Sequence, residues 1–346
     1  MCVWRRRVYL CTCIPPPCPK PIERVERLSP NDFCDDYLTR MQPAIIPGGI
    51  AHWPAVERWS DAYLRENAGG TLLRVKPRAD YIEGESKRES ESESELELGE
   101  ILALMSAECP PERCYAREST LLAKARTLRS DVLTPQLLTE TLPHATPRSG
   151  DGGPYVWLGP AHTVAQLHWD PEHNLFGQVR GRKYVILVPP GDASLTYPNM
   201  FTVTSLARKQ FFLGRGASVL KSLQEVACGL AGIDEHSRTI EYRHALRHRL
   251  TISELSLLCD YLLEANNCHV DAQTPDIYMH PQFLMARRYH ATLNPGDLLF
   301  VPYFWHHYIR SLDASISVNW FFLQDSLKMR LGDDWIVSIL LGHLAP

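Results

Sequence analysis

Short β-forming stretches, some alternating apolar and polar and some continuously apolar, occupy two separated parts of the chain. The first part holds Tyr155–Gly159, Val164–Asp170, Leu175–Val179 and Tyr184–Val188. The second holds Tyr289–Leu293, Leu298–Pro302, Trp305–Ile309 and Ile316–Phe322. A period of two residues marks strands, and the Gly, Pro, Asn and Asp clusters between these stretches mark turns. The turn Arg180-Gly181-Arg182-Lys183 makes a hairpin of its neighbours. Many short strands with such turns predict a barrel or jelly roll rather than an α/β fold.

The rest of the chain reads differently. Ser29-Pro30-Asn31-Asp32 is a helix start, after which Phe33, Tyr37 and Leu38 share an apolar face. Gln42–Gly49 reads as a short strand ending in a turn, Ser60-Asp61 starts a helix running to about Ala68, and Leu72–Val75 is a further strand. Residues 84–99 are an acidic, low-complexity loop that cannot bury enough apolar surface to order itself. A helix begins near Glu100, and Pro143–Pro154 reads as loop. Residues 205–272 are an insertion with helical periodicity, containing a basic run from Arg238 to Arg249. His244 and His248 share a helix face there, but with no third ligand a solvated basic surface is the plainer reading. Leu327–Leu341 predicts a closing amphipathic helix. The expected organisation is a leader over 1–21, an N-terminal region over 22–150 packed on a barrel over 151–325, and a C-terminal helix over 326–346.

Composition narrows the function classes. The 346 residues are 45% hydrophobic and 22% charged, as expected of a globular protein. A net charge of −4 gives no whole-molecule reason to expect nucleic-acid binding. No apolar run reaches the ~18 residues of a membrane-spanning helix. The start, Met1 to Ile14, is basic and then briefly apolar, but Pro15-Pro16-Pro17 follows without a small-residue cleavage site. The ten cysteines are scattered, and Cys11, Cys13 and Cys18 have no second half-site at zinc-finger spacing, so they read as free thiols of a reducing compartment.

Chemistry concentrates in Gln166-Leu167-His168-Trp169-Asp170-Pro171. On a strand, His168 and Asp170 point to one face and can reach one ion. Pro302-Tyr303-Phe304-Trp305-His306-His307 offers a third ligand, His306 or His307, and neighbours on a strand face opposite ways, so spacing does not choose between them. Two histidines and one carboxylate on one face of an octahedral ion form the triad of non-haem Fe(II) oxygenases, with the other face open to a cosubstrate and O2. An oxygenase using 2-oxoglutarate also needs a cation for the distal carboxylate. Lys183 lies at the hairpin beside the site, while Asn174 and Tyr115 offer neutral hydrogen bonds and Trp157 and Phe321 can wall the cavity.

Trp157-Leu158-Gly159-Pro160, Leu167-His168-Trp169-Asp170-Pro171, Asn174-Leu175, Gly181-Arg182-Lys183-Tyr184, Pro295-Gly296-Asp297 and Tyr308-Ile309-Arg310 together resemble the JmjC-domain 2-oxoglutarate oxygenases. Within them the chain is similar to the small, JmjC-only, cupin-like protein hydroxylases, nearest to an arginyl C3-hydroxylase formerly described as a lysine demethylase. The resemblance implies a double-stranded β-helix, with Fe(II) on His168, Asp170 and, of the two downstream histidines, His307. It implies 2-oxoglutarate contacts from Lys183, Asn174 and Tyr115, and a pocket aromatic at Trp157. The chain departs from the family in two places. Ala165 stands where a Ser or Thr commonly bonds the cosubstrate, which asks Thr163 or a water to compensate, and Phe321 stands where a pocket Trp is common.

The resemblance implies hydroxylation of a protein side chain, arginine or lysine, in the nucleus or cytoplasm. N-methyl-lysine demethylation and tRNA-base hydroxylation use the same chemistry. A non-enzymatic scaffold is the alternative from another class, and the presence of His168, Asp170, His307 and Lys183 together speaks against it.

Overall fold

The computed structural model describes residues 16–77, 94–111, 113–141, 146–147, 154–170, 172–198 and 266–323. The leader up to residue 15, most of the acidic loop, the helical part of the insertion with His244 and His248, and the C-terminal helix lie outside these residues.

The described strands are β1 (Lys20–Pro21), β2 (Ala44–Ile46), β3 (Leu72–Pro77), β4 (Ser94–Glu97), β5 (Arg113–Ser119), β6 (Thr146–Pro147) and β7 (Tyr155–Gly159). They continue with β8 (Val164–His168), β9 (His173–Arg180), β10 (Lys183–Val188), β11 (Tyr289–Leu293), β12 (Leu298–Val301), β13 (His306–Ser311) and β14 (Ser315–Leu323). Two sheets face each other. One has five strands in the order β1-β11-β10-β13-β8, and the other has nine, running β2-β12-β9-β14-β7-β5-β3-β4 with β6 added against β14. Consecutive strands repeatedly cross from one sheet to the other, as β7 to β8 and β12 to β13 do, which makes the fold a jelly roll.

Among the described residues, the two faces of each sheet separate three apolar clusters. Between the sheets lie Ala165, Phe176, Val185, Leu187, Leu293, Leu299, Val301 and Ile309. The outer face of the nine-stranded sheet, with Leu175, Val179, Phe300 and Val318, is covered by the N-terminal helices through Phe33, Trp53, Leu64 and Ile101. The outer face of the five-stranded sheet, with Leu167, Ile186, Val188 and Tyr308, is covered by Cys268, Val270, Ala272 and Phe283.

Local signals place the N-terminal elements. Ser29 caps the helical turn Pro30–Asp32, and Ser60 caps Asp61–Ala68 through the Tyr63 amide. Asp131 is buried and accepts from Trp59 Nε1 at 3.1 Å and Tyr63 Oη at 2.7 Å, which ties two helical segments together. In the β9–β10 hairpin Gly181 has φ +70°, a left-handed conformation that favours glycine.

Three sequence expectations need correction. The leader is not free up to residue 21, because Lys20–Pro21 pairs in parallel with Tyr289-His290 and the Lys20 amide bonds the Arg288 carbonyl at 2.8 Å. The acidic loop ends earlier than residue 99. Ser94–Glu97 pairs with Leu72–Val75, and Glu97 with Glu100 forms a capping box for the helix Leu98–Met105. Alternation in Ser-Glu-Leu-Glu is enough for an edge strand once a partner exists. Finally, Thr146–Pro147, read as loop, adds a short strand beside Phe322 and Leu323.

Candidate functional site

The site is built at one end of the space between the sheets. His168 is the last residue of β8, and His307 is the second of β13; the two are paired in the ladder, so their rings lie on one face with centroids 4.2 Å apart. His306 pairs with Val188 and takes the opposite direction, so the register selects His307. Asp170 lies beyond the end of β8 rather than on it. The two-residue spacing carries over this irregular segment all the same, and the Asp170 carboxylate joins the same cluster of ligand atoms as His168. Asp170 Oδ2 lies 3.4 Å from His307 Nε2, and the ligand atoms of all three residues fall within 4.8 Å of one another.

Backbone carbonyls fix both rings. His168 Nδ1 sits 2.6 Å from the Gln166 carbonyl, and His307 Nδ1 sits 3.1 Å from the Trp305 carbonyl. Each contact assigns the proton to Nδ1 and leaves the Nε2 lone pair for an ion. The turn between β12 and β13 also holds the acid, because the Phe304 amide donates to the Asp170 carbonyl at 2.9 Å. Phe304 reaches that position at φ +60°, an uncommon conformation for a bulky residue, and is anchored by its ring against Trp169 at 5.2 Å.

Electrostatics match an ion-binding role. Burial, and then the charge of His307, push His168 down to about 4, which keeps its imidazole neutral and able to ligate. Burial works in the same direction on His307, but the Asp170 hydrogen bond and charge outweigh it and raise its pKa. A divalent cation among these groups would replace that proton as the counter-charge of Asp170.

Lys183 opens β10 and points into the same interior. It is 2% exposed, with Nζ 5.2 Å from the Phe176 ring centroid, and it has no carboxylate partner among the described residues. Burial alone pushes its ammonium down to about 7. An unpaired buried cation is costly, so this side chain calls for an anionic ligand.

The nine-stranded sheet supplies neutral groups. Trp157 Nε1 donates to Asn319 Oδ1 at 2.6 Å, and Asn319 Nδ2 donates to Asn174 Oδ1 at 3.0 Å. The chain orients Asn174 with its own amide hydrogens free of these bonds. Phe321 pairs with Asn174 and stands 5.9 Å from the Tyr155 ring. Tyr115 is buried on β5 with its ring 6.2 Å from Trp157, and it passes over Gly159, where a Cβ would meet Tyr115 Cδ2 at 2.8 Å. Glycine is required for that approach.

Thr163 is buried, but its hydroxyl donates to the Pro160 carbonyl at 2.6 Å. Its proton is committed, so it does not replace a hydroxyl at position 165 as a donor to an anion. The ladder also shows how position 165 reaches the interior at all. Ala165 pairs with Ile309 and His168 with His307, so β8 holds an extra residue that returns both to one face.

Sequence reasoning missed Asn319 and the Phe304 turn. An amide at an alternating position of Ser317-Val318-Asn319-Trp320-Phe321 was a readable signal for Asn319. Nothing marked the Phe304 turn.

Comparison with known proteins agrees with this architecture. The chain is 24% identical over 287 residues to "Lysine-specific demethylase 8" of Xenopus tropicalis, covering 83% of this chain and 49% of the relative. It is 26% identical over 303 residues to "Jumonji C domain-containing protein 5" of Drosophila melanogaster, covering 86% and 59% respectively. It is 24% identical over 311 residues to the human "Bifunctional peptidase and (3S)-lysyl hydroxylase JMJD7", covering 87% and 83%. The chain thus spans about half the length of the first two relatives. With its jelly-roll sheets, its inward-facing triad and a family match running over residues 30–327, the chain belongs to the cupin-like domain family.

Proposed function

We propose that the protein is an Fe(II)- and 2-oxoglutarate-dependent dioxygenase that oxidises a protein side chain and releases succinate and CO2. The observation that carries the reading is one interior holding two unlike groups: a two-histidine, one-carboxylate cluster, and a buried lysine with no counter-charge among the described residues. A dicarboxylic 2-oxo acid fits both, with its keto-acid end at the ion and its distal carboxylate at Lys183.

When bound, Fe(II) would supply the coupling of O2 to decarboxylation of the oxo acid and to cleavage of a substrate C–H bond. The chain's residues have simpler tasks. His168, Asp170 and His307 hold the ion, and the Gln166 and Trp305 carbonyls keep both rings in the ligating tautomer. Lys183 anchors the cosubstrate, and Asn174, held by Asn319, offers it an amide donor. Phe176, Val185 and Leu187 keep water from the space between.

The substrate class rests on resemblance and on the relatives' names. A hydroxylated arginine or lysine, with arginine favoured by the resemblance to the arginyl hydroxylase, is the first reading. Demethylation of N-methyl-lysine is the second, and relatives named lysine-specific demethylase favour it. No helix among the described residues is long and apolar enough to cross a membrane. Nucleus or cytoplasm is the proposed location.

The test is succinate formation from 2-oxoglutarate with Fe(II) and ascorbate under air, with Arg-, Lys- and N-methyl-Lys-containing peptides offered. Wild-type turnover that is lost in Asp170→Ala, by a factor of ~10³ or more, supports the reading, because one ligand of three is removed. A wild type that binds no Fe(II) and makes no succinate sinks it and leaves the scaffold.

A further inference from the structure

The distal carboxylate of 2-oxoglutarate needs more than one donor. An ionised carboxylate has two oxygens and about four acceptor sites, and Lys183 fills only part of them. The positions around Lys183 on the five-stranded sheet are fixed by register. Across β13, Lys183 pairs with Ser311, Val185 with Ile309 and Leu187 with His307. Across the next ladder, Ile309 pairs with Ala165 and His307 with His168. Lys183 and Ser311 therefore share a row at the far end of the interior from the triad.

The backbone bonds refine this row. The Ser311 amide donates to the Thr163 carbonyl at 2.8 Å, and its carbonyl accepts from the His162 amide at 2.8 Å. Both of its backbone groups thus turn toward β8. Ser311 and Lys183 form a non-hydrogen-bonded pair, the type whose side chains lie closest, with Cα atoms about 4.5 Å apart. Ser311 is 3% exposed, and its hydroxyl has no hydrogen-bond partner among the described residues. The other two candidate positions on this sheet, 165 and 163, are spent. Ala165 has no hydroxyl, and the Thr163 hydroxyl donates to Pro160.

We infer that Ser311 donates its hydroxyl to the distal carboxylate of 2-oxoglutarate beside Lys183, so that β13 adds a neutral donor to the cosubstrate clamp. The inference rests on the oxygenase reading above. It makes Ser311 a binding residue selective for 2-oxo acids that carry a second carboxylate.

The experiment is calorimetric titration of the Mn(II)-loaded full chain with 2-oxoglutarate and, separately, with 2-oxopentanoate, which lacks the distal carboxylate. Ser311→Ala should bind 2-oxoglutarate about tenfold more weakly, a difference of about 1.4 kcal/mol. Its affinity for 2-oxopentanoate should be unchanged, which also shows that the variant is folded and metal-competent. Ser311→Thr should stay near wild type, and Ala165→Ser placed in the Ser311→Ala background should recover part of the loss. Equal affinity of Ser311→Ala and wild type for 2-oxoglutarate overturns the inference and leaves the oxygenase reading intact. So does an equal loss for both acids. A wild type that binds Mn(II) but not 2-oxoglutarate overturns both.

Discussion

The two sheets face one interior but equip it differently. The five-stranded sheet contributes His168, His307, Lys183 and Ser311, groups that carry charge or meet it. The nine-stranded sheet contributes Asn174, Asn319 and Trp157, amides and an indole already joined in a hydrogen-bonded chain. The neutral chain is largely self-satisfied and holds itself in place. The charged groups are incomplete without ligands, and neighbouring backbone orients the two histidines. A site that leaves its charged half unsatisfied and its neutral half rigid is organised to receive an ion and an anion, and only the first half should respond strongly to their removal.

The sharpest way to break that contrast is Lys183→Met. Loss of a charge-assisted bond worth ~1.5–3 kcal/mol should weaken 2-oxoglutarate binding by about tenfold to a hundredfold. The same variant tests whether the buried lysine is costly. With Lys183 lowered from 10.5 to about 7 in the folded protein, the unfolded chain binds more protons between those values. Stability of the ligand-free wild type should then rise with pH from about 7 to about 10.5 at this position. Below pH 7 the penalty is fully present, and Lys183→Met should be the more stable protein there by a few kcal/mol. Urea titrations at several pH values measure this, and a wild type that gains nothing with pH relative to the variant refutes the idea of an uncompensated lysine.

A smaller effect is expected on the neutral sheet. Asn319→Leu removes the acceptor of Trp157 and the donor to Asn174 and leaves one half-buried and one buried polar group unpaired. A loss of ~1–3 kcal/mol in stability should follow, with little dependence on ligand, since the chain is complete in the free protein. Denaturation with and without 2-oxoglutarate distinguishes this from a purely cosubstrate role, in which most of the loss would appear only with ligand present.

The smallest effect belongs to the cation next to Lys183. Arg182 is exposed and pairs with Asp313 through Nε at 2.8 Å. Burial, not sequence neighbourhood, makes Lys183 special, so Arg182→Ala should leave both the cosubstrate titration and the stability unchanged within error. A loss like that of Lys183→Met would mean that the clamp is an electrostatic field of the whole hairpin.

Much of the architecture is legible in the sequence. Short apolar or alternating runs between turn residues placed the strands of both blocks, because a strand with an apolar face must bury it. Ser29 and Ser60 marked helix starts because a hydroxyl before a helix satisfies an orphan amide. What failed were segments whose conformation depends on a distant partner. Lys20–Pro21, Ser94–Glu97 and Thr146–Pro147 become strands only because β11, β3 and β14 offer free edges.

The same division runs through the site. Sequence by itself determined the cast: a His-x-Asp stretch, a late histidine pair, a hairpin lysine and short strands to hold them. Those are local matters of residue type and period. Tertiary structure alone decided the geometry. Register chose His307 over His306, an extra residue in β8 brought Ala165 and His168 to one face, and cross-strand pairing set Ser311 against Lys183. Side-chain direction in a sheet changes sign with every residue, so it is fixed by which residues pair across strands far apart in the chain, and local sequence does not encode that pairing.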